Sequence, residues 1–245
     1  MNGRTTIIGI DCATQPRKVG LARGEYVDGR VSVREVRCGH PDLVEAVADW
    51  ACARGAVLLA LDAPLGWPSG MGEALAGHRA GEGPAGGLRF NRETDRVVHR
   101  ELGRRPLDVG ADRIGRTARA ALQLLDAVRD RPAVPIPLAW RPPAAGVQAI
   151  EVYPAGTLKA HGFRHSGYKR TEHAREREAL VEELSAVLSF DESLRGRAFN
   201  ADELDAVACL LAAADFLQGA CLEPEDPDLA REEGWIWVRR PAAGA

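Results

Sequence analysis

Short apolar segments alternate with polar turns in the first part of the chain. Thr5 to Asp11 is an apolar run that ends in an acid, and residues 19–25 and 31–37 alternate between apolar and polar positions as half-exposed strands do. Asp28-Gly29, between the second and third segments, is typical of a tight hairpin. The pattern predicts three strands joined as an antiparallel meander.

A crossover unit follows this meander. Leu43, Val47 and Trp50 have the spacing of one face of an amphipathic helix within 41–54. The continuous apolar residues of 56–62 predict a strand that is buried on both faces, and this strand also ends in an acid. If the helix passes over the second strand in the usual right-handed way, the fourth strand lies parallel beside the first.

The rest of the chain predicts a long insertion followed by further helices and strands. Glycine and proline are frequent over 64–92, which is typical of a long loop. Asn200 is expected to cap the last long helix, with Glu203 completing a capping box. We therefore expect one domain, 1–245, that carries a helical and loop insertion over 64–146. The later predicted elements are a helix over 111–130, a proline-rich connector over 132–143, a strand over 147–153, helices over 171–190 and 200–217, and a short strand over 235–238.

The composition is that of a globular protein. Of 245 residues, 45% are hydrophobic and 27% are charged. No run approaches the ~18 apolar residues that a membrane-spanning helix needs, so we expect no membrane partner. The N-terminus lacks the long apolar region of a signal peptide, and we expect a cytoplasmic protein. Five cysteines without a C-x-x-C pair argue against a disulfide framework and against a zinc ribbon.

The charge is unevenly distributed. A net charge of −3 argues against a general cationic nucleic-acid binder, but twelve Arg against eight Asp or Glu lie between His78 and Arg131. Lysine is nearly absent, since Lys18, Lys159 and Lys169 stand against 29 Arg. The arginines of the insertion are candidates for salt-dependent contacts with phosphate.

Acidic residues at the ends of three elements are the main candidates for chemistry. Asp11 and Asp62 each close an apolar strand. Parallel neighbouring strands would bring both acids to the sheet edge where α/β proteins hold their ligands. Asp202 and Asp205 are three residues apart on one helix face. The helix dipole alone could favour Asp202 in the first turn, whereas Asp205 lies deeper in an apolar helix and is expected to face the interior.

Several carboxylates that converge without His or Cys form a site suited to Mg²⁺ or Mn²⁺. Two such ions can activate a water and stabilise the leaving oxygen in phosphodiester hydrolysis. We therefore predict the four acids to be metal ligands and catalytic residues, with Asp11 bridging both ions. Their mutual repulsion should raise some of the carboxylate pKa values until metal binds.

Three further polar residues have both a functional and a structural interpretation. Glu151, inside the fifth predicted strand, is a candidate catalytic or metal-binding acid, or else an exposed residue of the opposite face. Thr14 and Lys18, on the loop after the first strand, are candidates for binding substrate phosphate oxygens. The structural interpretation of these two is an ordinary hairpin loop.

Five short motifs together resemble one family over nearly the whole chain. In their order and spacing they resemble the domain-of-unknown-function 429 family, which implies a nuclease-like protein with a ribonuclease H-like fold. The motifs are GIDCAT at 9–14, VGLA at 19–22, ALDAP at 60–64, IEVYPAG at 150–156 and ADELDAVACLLAA at 201–213.

This resemblance implies a fold and a ligand set. The fold is a mixed five-stranded sheet in the order 3-2-1-4-5, flanked by helices. Asp11 would be the ligand on strand 1 and Asp62 the ligand on strand 4, while Asp202 and Asp205 would be the helix ligands. The last motif is also similar to the D-x-x-D helix of bacterial Holliday-junction resolvases, which are dimers, so a homodimer is a further expectation.

Residues of the insertion resemble an R-x-T-D feature of the same family. Arg92, Thr94 and Asp95 are therefore candidates for binding substrate, with Arg92 contacting phosphate and Asp95 orienting a donor. The structural alternative is a solvated charged helix with local ion pairs.

Three functions are consistent with these observations. The leading prediction is a metal-dependent nuclease acting on DNA or RNA. An ATPase or kinase of the actin-like type also begins with a strand, an acid and a Thr-containing turn, although the chain supplies strands for one such domain only. A non-catalytic scaffold or nucleic-acid-binding protein is the third, and the near-neutral total charge favours it over a general duplex nuclease.

Overall fold

The computed structural model describes residues 4–52, 55–84, 86–131 and 135–241, which form a mixed sheet flanked by helices. The strands are β1 (Thr5–Asp11), β2 (Gly20–Val27), β3 (Arg30–Cys38), β4 (Ala56–Asp62), β5 (Gly146–Glu151) and β6 (Leu188–Phe190). The helices are α1 (Leu43–Ala51), α2 (Met71–Leu75), α3 (Glu93–Leu102), α4 (Ile114–Asp130), α5 (Pro154–Ala160), α6 (Ala174–Ser185), α7 (Ala201–Leu217) and α8 (Pro227–Glu233). The strand order is β5-β4-β1-β2-β3-β6.

The first four strands follow the pattern that the sequence predicts. β1, β2 and β3 form an antiparallel meander. Asp28 and Gly29 at the β2–β3 turn have φ values of 49° and 80°, the left-handed conformation that a tight hairpin needs at both positions. After α1 the chain returns as β4, which is parallel to β1, and β5 is parallel to β4.

The sheet has a sixth strand that the sequence analysis does not predict. The helix expected over 171–190 ends at Ser185, and Leu188–Phe190 pairs in parallel with β3. Three residues are too few to show the alternation of apolar and polar positions that marks a strand. The sequence pattern therefore does not distinguish Leu188–Phe190 from a continuation of the helix. The observed sheet therefore has six strands instead of five. At 235–238, where a short strand is expected, Ile236 forms an isolated bridge with Glu151.

Helices cover both faces of the sheet. Ile7 and Leu58 lie in the core beneath α7, whereas the next residues, Ile8 and Leu59, lie in the core beneath α1 and α4. Because both sets of side chains are buried, the central strands have continuous apolar sequences rather than alternating ones. The helix α7 crosses β1, β2, β3 and β4, which places its N-terminal turns near the ends of the central strands.

The segment 64–146 contributes to the core. The helix α4 packs against α1, and α3 contacts α5 and α8. Val97 of α3 belongs to the same apolar cluster as the α7 side chains. Within the ranges that the structure describes, no helix combines the length and the apolar character needed to cross a membrane.

Candidate metal centre

The ends of β1 and β4 place two carboxylates side by side. Asp11 and Asp62 are paired directly in the parallel register of these strands. Each follows six buried residues of its own strand and is itself partly exposed. The two acids therefore meet at one edge of the sheet, as the sequence analysis predicts.

The helix α7 brings a third carboxylate to this edge. Asn200 caps the helix by accepting the Glu203 N–H, and the Glu203 carboxylate accepts the Asn200 N–H, each at 2.9 Å. This predicted capping box fixes where α7 begins, and Asp205 then lies in its second turn, 1% exposed. One oxygen atom from each of Asp11, Asp62 and Asp205 lies within 4.8 Å of the others. We call these three residues the carboxylate cluster.

Two glycines allow α7 to lie directly on the sheet. A Cβ atom at Gly9 would stand 2.1 Å from the Ala206 carbonyl oxygen, and one at Gly20 would stand 2.0 Å from the Asp202 carbonyl oxygen. Both distances are far below van der Waals contact, so only glycine fits at these positions. The close approach of the helix backbone to β1 and β2 is what brings Asp205 within reach of the strand ends.

Burial and mutual repulsion raise the pKa values of the strand acids. The pKa of Asp11 lies well above its ordinary value because the group is buried and because Asp205 and Asp62 carry like charge. Burial, together with the charge of Asp205, raises the pKa of Asp62 to about 7. The cluster therefore retains protons or requires a cation near neutral pH.

A loop ahead of α6 supplies the partners of Asp205. The Tyr168 hydroxyl donates to Asp205 Oδ1 at 2.5 Å, and the Lys169 ammonium lies 2.5 Å from Asp205 Oδ2. Tyr168 is fully buried, whereas the Lys169 side chain is 60% exposed. Neither residue is among the site residues predicted from the sequence. The available signal was the scarcity of lysine, because only Lys18, Lys159 and Lys169 occur beside 29 Arg.

Arg177 in the first turn of α6 fixes the backbone of this loop. Its guanidinium donates from Nη1 to the carbonyl oxygens of Tyr168 and Arg170 at 3.0 and 2.7 Å, and from Nη2 to that of Thr171 at 3.0 Å. The loop that carries Tyr168 and Lys169 is thereby tied to α6. No local pattern distinguishes Arg177 from the other charged residues of its helix, so its contacts are not predictable from the sequence.

Asp202 lies beside the carboxylate cluster and outside it. Its Oδ2 is 3.7 Å from the Cys38 sulfur atom. Burial raises the pKa of Asp202, and the like charge of Asp205 raises it further, while the Cys38 hydrogen bond opposes this. Both helix acids are predicted ligands, with the helix dipole as the alternative explanation for Asp202, and the geometry groups only Asp205 with the strand acids.

Glu151 belongs to a buried ion network. Arg92 donates to Glu151 from Nη1 to Oε2 at 2.8 Å and from Nη2 to Oε1 at 2.6 Å. Nη2 of Arg92 also donates to Asp95 Oδ1 at 3.0 Å, and Glu151 Oε2 accepts the Leu65 N–H at 2.9 Å. Glu151 is 3% exposed, which excludes the alternative of an exposed strand residue. Its carboxylate is not grouped with those of Asp11, Asp62 and Asp205.

This network revises the expected substrate contacts at Arg92, Thr94 and Asp95. All three side chains are buried, and Thr94 Oγ1 accepts the Ile236 N–H at 2.8 Å. The Arg92 guanidinium is 1% exposed and is engaged by internal carboxylates, so it does not present donors to a phosphate in solution. The three residues instead fasten the start of α3 to β5 and to the C-terminal segment.

Thr14 and Lys18 are exposed on the loop after β1. Thr14 lies at a surface groove of about 770 Å³, whose lining also includes Arg17, Cys38 and His40. Because the Cys38 side chain also contacts Asp202, the groove begins beside the carboxylate cluster. The positive charge of Lys18 acts against the burial that raises the pKa of Asp202.

The donor set of the cluster fits a hard divalent cation. Among the described residues, the grouped ligand atoms are carboxylate oxygens without His or Cys. Oxygen donors of this kind are those that Mg²⁺ and Mn²⁺ prefer. A cation would also relieve the repulsion that raises the pKa values of Asp11 and Asp62.

Comparison with known proteins identifies one family. Residues 9–229 match the sequence model of a family described as a protein of unknown function, DUF429. The matched range contains the carboxylate cluster, Asp202, Tyr168 and Lys169. No curated protein matches the chain.

Proposed function

The chain belongs to the DUF429 family, and we propose that it is a divalent-metal-dependent nuclease. It would hydrolyse phosphodiester bonds of nucleic acid at the carboxylate cluster. The observation that carries this proposal is the convergence of Asp11, Asp62 and Asp205 within 4.8 Å at the edge of the sheet. Three carboxylates grouped in this way cost free energy unless positive charge lies among them.

The proposed cofactor is Mg²⁺ or Mn²⁺, held by Asp11, Asp62 and Asp205, with Asp202 as an additional acid beside them. When bound as a pair, such ions supply an activated water and stabilise the leaving oxygen of a phosphodiester. The chain's own contribution is positioning. The register of β1 with β4 fixes two carboxylates, α7 fixes the third, and the buried Tyr168 hydroxyl orients Asp205.

The strand arrangement supports this proposal. β3, β2, β1, β4 and β5 are consecutive neighbours in the sheet, with β6 beyond β3. We infer from this arrangement a ribonuclease H-like fold for the chain, with acids at the ends of β1 and β4 and on the last long helix. Because a fold hosts many activities, the nuclease assignment depends on the cluster and not on the topology.

The groove beside the cluster is the proposed path of the nucleic acid. Arg17 lines it, and Lys18 follows in the same 3-10 turn, Pro16–Lys18. Both cations are exposed, and in this proposal they contact phosphates of a strand that approaches the carboxylates. Contacts of this type supply affinity without selecting a base sequence, so DNA and RNA are both proposed substrates.

Cleavage of labelled DNA and RNA strands with Mg²⁺ or Mn²⁺ tests the function. We expect chelator-sensitive products with 5′-phosphate ends, and we expect Asp11→Asn to lower the rate by at least about a hundredfold because a carboxylate that would hold the cation is lost. The matched control is Asp49→Asn, which removes an exposed acid from α1 and should leave the rate unchanged. Circular dichroism would establish that each variant is folded.

Two results would contradict the proposal. Undiminished cleavage by Asp11→Asn would show that the cluster is not the reacting site. Binding of nucleic acid that persists in chelator and in Asp11→Asn, without cleavage by the wild type, would instead favour a non-catalytic binding protein.

A further inference from the structure

Both oxygens of Asp205 have partners within the protein. Tyr168 donates to Oδ1, and the Lys169 ammonium lies against Oδ2, each at 2.5 Å. A divalent cation in the cluster would need an oxygen of Asp205 together with those of Asp11 and Asp62. One of the two existing partners must then share or release its oxygen.

Lys169 is the partner that can move. Tyr168 is fully buried in the main apolar core, and Arg177 ties the loop backbone to α6. The Lys169 side chain is 60% exposed, and its ammonium sits at the end of a flexible four-carbon stem. The ammonium can therefore leave Asp205 while the loop stays in place.

The charges favour such an exchange. The Lys169 ammonium supplies one positive charge to a group of three carboxylates, and a divalent cation supplies two. Since the ammonium and the cation would occupy the same region of negative potential, each weakens the binding of the other. Because Arg177 ties the loop backbone to α6 and the Lys169 side chain is exposed, we expect an ammonium displaced from Asp205 to stay near the cluster and within reach of a substrate phosphate.

We propose that Lys169 is a displaceable counter-ion that holds Asp205 in the metal-free protein and binds a phosphate oxygen of the substrate once a divalent cation takes its place. This inference rests on the proposed function. The proposal adds Lys169 to the site as a substrate-binding residue, and the substrate group that it contacts is a phosphate.

Calorimetric titration of the full chain with Mn²⁺ tests the first half of the proposal. We expect Lys169→Met to bind Mn²⁺ at least about tenfold more tightly than wild type, because the competing charge is gone. Lys169→Arg keeps the charge and should bind Mn²⁺ much as wild type does, which controls for effects of the substitution on folding. Lys159→Met is the matched lysine control, since that ammonium lies beside Gly103.

The outcomes separate this inference from the proposed function. Equal or weaker Mn²⁺ affinity in Lys169→Met, with normal binding by wild type, overturns the counter-ion and leaves the metal site standing. If Lys169→Met binds Mn²⁺ tightly and wild type does not bind it, the result supports Lys169 as a counter-ion that competes with the cation. If neither protein binds Mn²⁺, both the metal site and the counter-ion are overturned.

Strand binding tests the second half. With Ca²⁺ in place of Mn²⁺, fluorescence anisotropy of short labelled DNA and RNA strands measures affinity without cleavage. We expect Lys169→Met to bind the strands about tenfold more weakly than Lys159→Met, although its cation affinity is higher. Unchanged strand affinity would overturn the phosphate contact.

Discussion

At the scale of single residues, the carboxylate cluster links protonation to folding. In the folded chain the pKa of Asp62 is raised to about 7, because burial and the charge of Asp205 oppose ionisation. An exposed Asp in the unfolded chain loses its proton near about pH 4. Between these values the native state binds more protons than the unfolded state, so the free energy of unfolding falls as pH rises.

We therefore expect the metal-free protein to become more stable as pH is lowered from about 7 to about 5, by up to about 1.4 kcal/mol per pH unit for each retained proton. Urea unfolding in the presence of a chelator measures this dependence. In Asp62→Asn the dependence should be weaker, since one titrating acid is gone and its charge no longer acts on Asp11. Asp49→Asn should keep the wild-type dependence, and an identical slope in all three proteins would contradict the coupling.

At the scale of elements, the site depends on how closely α7 approaches the sheet. The strand acids are fixed by the β1–β4 register, but Asp205 reaches them only because Gly9 and Gly20 have no Cβ atom. The same helix is buried along most of its length against four strands. A small displacement of α7 would therefore alter the cluster more than it would alter the fold.

Gly9→Ala should displace α7. The added methyl group would overlap the Ala206 carbonyl oxygen, and overpacking of this kind costs about 1–3 kcal/mol of unfolding free energy. We also expect weaker Mn²⁺ binding, because Asp205 moves away from the strand acids. Gly72→Ala, which adds a methyl group in open space on α2, is the control for both thermal unfolding and calorimetry. Wild-type Mn²⁺ affinity in Gly9→Ala would show that the close approach is not required for the cluster.

At the scale of the whole molecule, buried ions join segments that are distant in the chain. Arg92, which immediately precedes α3, binds Glu151 of β5, Asp95 of α3 and the Glu233 carbonyl oxygen at 3.3 Å. The Glu233 carboxylate in turn accepts the backbone N–H groups of Ser69 and Glu93 at 2.7 and 2.6 Å. These contacts hold the segment after β4 and the C-terminal segment against the sheet.

The surface beyond the cluster should determine how tightly nucleic acid binds. Replacing both Arg17 and Lys18 with Ala is expected to weaken strand binding in Ca²⁺ and to reduce the slope of log affinity against log salt by about 1–2, as loss of one or two phosphate contacts would. Arg30→Ala, at the hairpin end of β3, should change neither quantity. Fluorescence anisotropy of labelled nucleic acid, measured over a series of salt concentrations, tests this expectation. An unchanged salt dependence in the double variant would show that the nucleic acid binds outside the groove.

Much of the framework of this protein is determined by the sequence itself. The apolar runs of β1 and β4 specify buried strands, and each run ends in an acid at the position where the sheet meets solvent. Asn200 and Glu203 specify where α7 starts, and the apolar sequence around Asp205 indicates that its side chain faces inward. These features are predictable because the spacing of buried positions, the residues of a turn and the residues that cap a helix all depend on near neighbours in the chain.

The partners of the charged side chains were decided by the tertiary structure alone. Arg92 fits a solvated helix by local pattern, yet it pairs in the interior with Glu151, a residue from a different element. Lys169 lies in a loop with no periodic pattern, yet it contacts Asp205. A charged residue carries no local signal of which opposite charge it will meet, because that depends on how α3, α6 and α7 pack around the sheet. The same packing groups Asp205 with the strand acids and leaves Asp202 beside them.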